Sequence, residues 1–437
     1  MLTGSEAVVA QRGWKDFILE QKDALLCIID QGVVSVAGFT TSVLIGRHAP
    51  EELGIYFIAL SIILFIRGFQ EQMISIPYTI FHHKYAKVQL PGYRGSCLVQ
   101  QFGLTVVTFL FLLAMTAASY WGWLETTMVS PLIVLLLLMP ALLMREVVRQ
   151  YCFTHQENVK ALAIDSAITV LQIGGLVGLG YFGVLSGTSA WAVIGLSCLL
   201  ILSYWYFQNG PEIRFAKESI SKDWKQNWSF GKWAVGGQLI GSFPTYILPW
   251  MLVAAAGTEG TGFFAAAMTL VGIANIFNTG MANFLTPKAA QVYVDEGAIG
   301  LRRVVIRITL IFLLVIGSFV ALLAVLGGWI AVELYGSKYN GLQSAMTVLA
   351  IAKLCDSFAI VASNGLFVME RMKANFWVDV VLMAVTITVA ICLIFPYGVM
   401  GAVFTSLVSA ATSAVLRFVL LVIFLNSEIE VEESHAA

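Results

Sequence analysis

The chain has 437 residues, of which 59% are hydrophobic and only 12% are charged, and its mean hydropathy is +0.84. Soluble domains average roughly 45–50% apolar and 25% charged residues, so the composition excludes an ordinary soluble protein. The 25 Lys and Arg balance 26 Asp and Glu, which argues against a nucleic-acid partner, since that would require a concentrated basic face.

Apolar segments follow one another along the whole chain, and each is long enough to cross a bilayer, which takes about twenty residues. We predict spans at 24–46, 54–80, 96–119, 130–152, 161–183, 188–207, 230–255, 262–286, 304–326, 342–367, 375–395 and 399–424. The fold class is therefore an all-α membrane protein with about 12 transmembrane helices. The polar connection 208–229 separates an N-terminal six-helix lobe, 1–207, from a C-terminal one, 230–437, which ends in a short acidic tail.

Basic residues occupy alternate connections between the spans, and this pattern predicts the orientation. One side carries Arg12, Lys15, Lys22, Lys84, Lys87, Arg94, Arg145, Arg149, Lys160, Arg214, Lys217, Lys222, Lys225, Lys232, Lys288, Arg302, Arg303, Arg307, Arg371 and Lys373. The opposite connections carry only Arg47 and Lys338. Because Lys and Arg are enriched in cytoplasmic loops, we expect both termini to be cytoplasmic.

The two lobes share a repeated sequence pattern. In the first, Gly54 opens the second span and Pro77 lies near its inner end, and in the second, Gly262 opens the eighth span and Pro287 ends it. The glycine-to-proline spacing differs by only about two residues, which predicts an internal repeat. Six-helix repeats would be parallel and related by an axis along the membrane normal, and transporters commonly bind substrate at such an interface.

Four short motifs, in this order along the chain, carry a family resemblance. Ile45–Tyr56 reads IGRHAPEELGIY, Arg149–Phe153 reads RQYCF, Leu334–Tyr339 reads LYGSKY and Tyr397–Ala402 reads YGVMGA. With these motifs the sequence resembles the polysaccharide and oligosaccharide flippases (Wzx-like), members of the superfamily that includes MATE exporters.

The resemblance implies two pseudo-symmetric lobes around a central cavity, as in MATE proteins. It also implies that the protein flips an undecaprenyl-diphosphate-linked oligosaccharide to the outer leaflet of a bacterial inner membrane, for polysaccharide biosynthesis and export. Membrane lipid, the lipid-linked oligosaccharide and other polysaccharide assembly proteins would then be its partners. A MATE-like, cation-coupled exporter of small molecules is the alternative, and a membrane-embedded polymerase or ligase is a third.

Catalytic and cofactor motifs give no support to an enzyme. The sequence contains no GxxxxGK[ST] phosphate loop, no HExxH and no GxSxG, and its six cysteines lack metal-ligand spacing. The longest connection predicted on the outer side has only about fifteen residues, whereas an enzyme that holds an acceptor usually needs a larger loop or domain. We therefore expect a transporter that needs no cofactor or metal.

Ionisable residues inside the spans are the main candidates for substrate binding, since a charge in hydrocarbon costs several kcal/mol unless it faces a partner or water. These candidates are Arg67, Glu71, Arg145, Arg149, Lys353, Asp356 and Arg417. Helical spacing allows Arg67 to pair with Glu71 and Lys353 to pair with Asp356. The alternative explanations are purely structural ion pairs and, for Arg145, Arg149 and Arg417, contact with lipid headgroups.

Five further polar residues lie in or near the spans, and three of them, Asp30, Asn275 and Asn278, have competing interpretations. Asp30, near the inner end of the first span, could couple transport to protons or sodium, but its position also fits a solvated carboxylate. Asp165 and Asp379 also lie close to the inner surface, and we interpret them as solvated carboxylates. Asn275 and Asn278 in the eighth span suit sugar hydroxyls, although hydrogen bonds between helices would explain them equally well.

Overall fold

The computed structural model describes residues 4–82, 85, 88–209, 213–215 and 217–436. Within these ranges only the backbone is described for residues 4–25, 209, 217–218, 233–234, 238, 243–244, 280, 282–288 and 431–436. The helices are α1 Gly4–His48, α2 Pro50–Gln70, α3 Ile76–His82, α4 Leu90–Tyr120, α5 Val129–Thr154, α6 Asn158–Tyr181, α7 Gly187–Asn209, α8 Lys217–Val271, α9 Ala274–Tyr335, α10 Gln343–Val368 and α11 Met372–Ala436. A π-helical turn, Glu71–Ser75, joins α2 to α3.

The all-α membrane fold is confirmed. Ten helical stretches in the described part of the chain are long and apolar enough to cross a membrane. Large apolar side chains on their surfaces, such as Leu314 at 73% exposure, suit contact with lipid tails. The exact number of twelve spans stays a prediction.

Three glycines break the longest helices where the sequence predicts the end of one span and the start of the next. Gly257 in α8, Gly297 in α9 and Gly398 in α11 have φ values of 68°, 65° and 54°. Glycine adopts such positive φ without steric cost, so the chain can change direction there without a long loop.

The chain forms two compact units, which we call the N unit (1–44 and 66–235) and the C unit (45–65 and 236–437). The connection predicted at 208–229 is helical from Lys217 onward and continues into α8. Its Asp223 and Asn227 are each 1% exposed, so this segment is packed into the N unit. The lobe boundaries proposed from the sequence stay a prediction.

Asp223 anchors the start of α8 to the N unit. Its carboxylate accepts hydrogen bonds from Tyr85 Oη at 2.6 Å, Ser96 Oγ at 2.6 Å and Ser219 Oγ at 2.9 Å. Burial and the neighbouring Asp223 carboxylate both raise the pKa of Tyr85 above its usual range, so the phenol stays protonated and remains a donor. Three donors satisfy a carboxylate that would otherwise be costly to bury.

Gly54 and Gly262, the two glycines of the repeated sequence pattern, face each other in the C unit. A Cβ on Gly54 would lie 1.9 Å from the carbonyl oxygen of Thr258, and a Cβ on Gly262 would lie 1.8 Å from that of Pro50. The contact is reciprocal, because each glycine meets the carbonyl four residues before the other. Small residues at this spacing let two membrane helices approach backbone to backbone. The expected superposition of Pro77 on Pro287 stays a prediction, since the side chain of Pro287 lies outside the described residues.

Candidate functional site

Arg149 of α5 is the centre of a charged cluster in the N unit. Its Nη2 lies 2.7 Å from Asp30 Oδ2 on α1, and its Nε lies 2.6 Å from Asp165 Oδ2 on α6. Its Nη1 is 3.6 Å from Glu146 Oε2, one turn earlier on α5. One guanidinium therefore links three helices through its three nitrogens, in the fork geometry that suits carboxylates.

Two more arginines complete the cluster. Arg145 Nη2 lies 2.6 Å from Asp165 Oδ1, and Arg67 Nη2 of α2 lies 2.8 Å from Glu146 Oε2. Three cations thus meet three carboxylates, and the cluster has no formal net charge. Arg145 and Arg149 each contact a buried carboxylate, so contact with lipid headgroups is not needed to explain either of them.

Two sequence predictions about this cluster were wrong. Arg67 pairs with Glu146 and not with Glu71, which is exposed in the π-helical turn. Asp30 and Asp165 are 1% and 0% exposed, so they are not solvated carboxylates. Their depth is tolerated because Arg149 contacts both of them, and a buried carboxylate needs such a partner.

A polar cavity of about 530 Å³ lies in the C unit, between α9, α10 and α11. It is lined by Asn275, Asn278, Thr279, Lys353, Asp356, Ala359, Ile360, Ser363, Asn364, Ser413 and Arg417. Most of these side chains are amides, hydroxyls or charged groups. Small-molecule sites in proteins typically enclose about 300–1,000 Å³, so the cavity has the size of a ligand site.

Two ion pairs border this cavity. Lys353 Nζ lies 3.1 Å from Asp356 Oδ2, which confirms the predicted pairing, and both side chains remain partly exposed. Arg417 Nη2 contacts Asp379 Oδ1 at 2.5 Å, and Arg417 also donates to Ser413 Oγ. Arg417 is therefore held by protein groups, and Asp379, interpreted from the sequence as a solvated carboxylate, is paired with Arg417 while its side chain remains 28% exposed.

Asn278 is the most deeply placed amide of the cavity. It is 3% exposed, and its Oδ1 accepts a hydrogen bond of 2.9 Å from Ser357 Oγ. Its Nδ2 has no hydrogen-bond partner among the described residues. A buried donor without a partner is unfavourable, so this amide is suited to an acceptor supplied by a ligand or water.

The predicted site residues other than Glu71 form two groups, one in each unit. Asn275, Asn278, Lys353, Asp356 and Arg417 line the C-unit cavity, and the arginines and acids described above form the N-unit cluster. The sequence reasoning missed Ser363, Asn364 and Ser413. A signal for them was present, because positions 353, 356, 360, 363 and 364 follow helical spacing and 413 precedes 417 by one turn.

Comparison with known proteins identifies the family. Residues 22–292 match the family model described as polysaccharide biosynthesis protein. The chain belongs to that family. A search of curated proteins finds no match by sequence.

Solved structures of MATE-type transporters share the fold of this family member. An inward-facing multidrug resistance MATE transporter matches with a TM-score of 0.75 at 15% identity, over 91% of this chain and 95% of that one. An outward-facing structure of such a transporter matches with a TM-score of 0.63 at 15% identity, over 93% and 95%. A transporter of the same superfamily from Pyrococcus furiosus, described as having a binding pocket of reverse polarity, matches with a TM-score of 0.62 at 15% identity, over 92% and 94%. The protein is thus a multi-pass membrane member of the polysaccharide biosynthesis protein family with a MATE-like fold.

Proposed function

We propose that the protein flips a lipid-linked oligosaccharide from the inner to the outer leaflet, and that the C-unit cavity holds the saccharide. The observation that carries this proposal is the lining of that cavity. Amides and hydroxyls from α9, α10 and α11 surround about 530 Å³. Sugar hydroxyls both donate and accept hydrogen bonds, and amides offer both capacities.

The ion pairs of the cavity suit the charged part of such a substrate. Asp356 is 42% exposed and Lys353 is 20% exposed, so both reach water while they remain paired. Lys353 can exchange Asp356 for a diphosphate or an acidic sugar without first being buried alone, and charge-assisted hydrogen bonds are the stronger ones. Arg417 offers a planar fork that matches phosphate or carboxylate oxygens.

The setting of this activity in the proposal is the bacterial inner membrane, with both termini in the cytoplasm and the polymer assembled on the outer face. The distribution of Lys and Arg along the sequence supports the orientation, and the polysaccharide biosynthesis family supports the link to a polymer. The lipid-linked oligosaccharide, membrane lipid and other polysaccharide assembly proteins are the partners in this proposal, and Arg67, Glu71, Arg145 and Arg149 are the N-unit residues assigned to the transport pathway.

A small-molecule exporter is a weaker fit to the same cavity. A cationic compound calls for a carboxylate that is free to pair with it, whereas Asp356 and Asp379 each pair with a protein cation. The likeness to multidrug transporters concerns the fold, which by itself does not determine the substrate.

The first prediction tests whether polymer export depends on two amides and one lysine that line the cavity. Asn275→Ala, Asn364→Ala and Lys353→Ala should each lower polymer export at least tenfold in a strain whose own gene is deleted, because each removes a polar group that lines the cavity. Protein abundance in the membrane should stay near that of the wild type. Export is measured as surface polymer, and flipping as translocation of a labelled lipid-linked oligosaccharide in proteoliposomes.

Thr388→Ala is the matched control, since Thr388 lies on α11, is exposed and donates only to Ala384 O of its own helix. It should leave export unchanged. Normal flipping by all three cavity variants would refute the assigned role of the cavity. Normal polymer export after deletion of the gene itself would refute the proposed function.

The second prediction concerns energy coupling, for which we propose Asp30. Its carboxylate is 1% exposed, one oxygen contacts Arg149, and Oδ1 has no hydrogen-bond partner in the described part of the chain. Asp30→Asn keeps the shape and one acceptor oxygen but cannot bind or release a proton. Flipping in proteoliposomes should then no longer respond to an imposed proton or sodium gradient. An unchanged response would remove Asp30 from the coupling pathway.

A further inference from the structure

A surface groove of about 480 Å³ lies along the part of α9 that follows the break at Gly297. It is lined by six residues at helical spacing, which we call the α9 stripe: Arg303, Ile306, Arg307, Leu310, Ile311 and Leu314. All six are exposed. The opposite face of the helix, with Val305, Ile308 and Phe312, is packed into the core of the C unit. The α9 stripe is therefore a surface of the C unit that the rest of the chain leaves open.

The positive charges of the α9 stripe lie at one end of it. From residue 298 to residue 332 the only ionisable residues are Arg302, Arg303 and Arg307, at the point where the sequence predicts a span to begin. The aliphatic members of the stripe continue from there into the span. At 1.5 Å per residue the stripe is about 16 Å long, close to half of a hydrocarbon core of roughly 30 Å. It thus matches one leaflet, with positive charge at the level of the headgroups.

The protein neutralises these charges only in part. Arg303 Nη1 lies 2.7 Å from Glu296 Oε2, but the two side chains are 68% and 46% exposed, and so exposed a pair contributes little. Arg307 forms no ion pair with a described residue, in contrast to Arg149 and Arg417. Like charges one turn apart on a helix repel each other, so Arg303 and Arg307 favour an anion between them. Guanidinium groups bind phosphate oxygens through two parallel hydrogen bonds.

The order of side chains along the stripe identifies the kind of anion. A free phosphate would contact the arginines and leave Leu310 and Leu314 uncovered. A zwitterionic lipid would cover them, but its ammonium group would lie near the two guanidiniums and offset the attraction to its phosphate. An anionic phospholipid supplies both a net negative charge and hydrocarbon, and basic residues at the cytoplasmic end of a span attract such lipids.

We propose that the α9 stripe binds an anionic glycerophospholipid, with the phosphate between Arg303 and Arg307 and an acyl chain along Leu310 and Leu314. This site goes beyond the proposed flippase function, because its ligand is a bulk lipid of the membrane and not the transported molecule. None of the residues that line the C-unit cavity takes part in it.

The test is photo-crosslinking of the purified full-length protein in phosphatidylcholine nanodiscs. Each sample contains a trace of phosphatidylglycerol or phosphatidylethanolamine with a diazirine on the acyl chain, and labelled peptides are identified by mass spectrometry. Phosphatidylglycerol should label the peptide that contains Ile306–Leu314 at least fivefold more than phosphatidylethanolamine does. The reference is the surface of α4 around Val107 and Leu110, which is exposed and uncharged and should be labelled equally by both lipids.

Equal labelling of Ile306–Leu314 by the two lipids would overturn the proposal. This comparison uses the wild-type protein, so it remains valid even if a variant fails to fold. An excess of inorganic phosphate should not compete, because it lacks the acyl chain. Competition by inorganic phosphate to the same extent as by unlabelled phosphatidylglycerol would show an anion site without a lipid and would also overturn the proposal.

A pair of variants separates a defined site from general attraction to positive charge. Arg303→Gln combined with Arg307→Gln should lower labelling by phosphatidylglycerol at least tenfold and leave labelling by phosphatidylethanolamine unchanged. Arg302→Gln is the matched control, since Arg302 is exposed and adjacent in sequence but does not line the groove. It should stay within twofold of the wild type. A loss as large as that of the double variant would overturn the proposal. Binding is measured without transport, so failure of the flippase proposal would not alter this result.

Discussion

At the scale of single residues, the membrane-embedded charges are arranged for mutual neutralisation. In the N unit Arg149 contacts three carboxylates, and in the C unit Arg417 contacts Asp379. A lone ion at this depth would cost several kcal/mol, and pairing offsets most of that cost. Because both sets are formally neutral, a substrate would be recognised through exchange of partners and through hydrogen bonds, not through a standing excess of positive charge.

The third prediction is a double-mutant test of the pair formed by Arg67 and Glu146, which lie 2.8 Å apart. If the pair only stabilises the helices, either single change to Ala should lower the melting temperature in detergent, and the double change should recover part of the loss. The expected coupling is about 0.5–1 kcal/mol, since Arg67 is 36% exposed.

Arg67→Ala combined with Glu71→Ala is the matched control, because Glu71 lies one turn from Arg67 in sequence but is not its partner. This second double variant should show no recovery. Recovery of the melting temperature when Glu71 is replaced together with Arg67, and no recovery when Glu146 is, would contradict the pairing in the structure. If Arg67 also contacts substrate, flipping should stay low in both double variants even where stability returns.

At the scale of helices, the close approach of α2 and α8 depends on the absence of two side chains. Gly54 and Gly262 each lie against the backbone of the other helix. A Cβ added to either glycine would lie less than 2 Å from a carbonyl oxygen of that helix. Backbone contact of this kind holds membrane helices together where no hydrophobic effect acts between them. The C unit therefore tolerates no larger residue at either position without a shift of the helix.

The fourth prediction follows from this contact. Gly54→Ala should lower the stability of the protein by about 1–3 kcal/mol, the range found for overpacked cores, because α2 must move away from Thr258. Gly236→Ala is the control on α8, since a Cβ there meets nothing within 4 Å. Thermal unfolding in detergent measures both. Equal melting temperatures for the two variants would refute the contact.

The sequence predicted much of the architecture because hydropathy and glycine act locally along the chain. The breaks at Gly257 and Gly398 lie between predicted spans, and the repeated pattern of Gly54 and Gly262 can be recognised from the sequence alone. The contact between these two glycines could not be predicted from the sequence, since it joins positions about two hundred residues apart. Asp30 shows the same limit, because its partner Arg149 is 119 positions away and nothing near Asp30 in sequence indicates burial.

At the scale of the whole molecule, fold and substrate are separable. The chain has a MATE-like fold, and one fold can serve proteins with different substrates. The features that favour a saccharide in this chain are a few side chains on α9, α10 and α11, which can change without disturbing the membrane-facing surfaces. Family membership and the polar C-unit cavity thus support the flippase proposal independently of each other.

The last prediction concerns the orientation of the chain in the membrane, which the basic connections imply. In a cysteine-free background, single cysteines replace Val184, Ser337 and Ser221, all of which are exposed. The predicted topology places the first two outside and the third in the cytoplasm, because Arg214, Lys222 and Lys225 flank Ser221. An impermeant maleimide added to intact cells should therefore label Val184→Cys and Ser337→Cys at least tenfold more than Ser221→Cys. After permeabilisation all three should react equally, which controls for local reactivity, and the opposite pattern in intact cells would invert the topology.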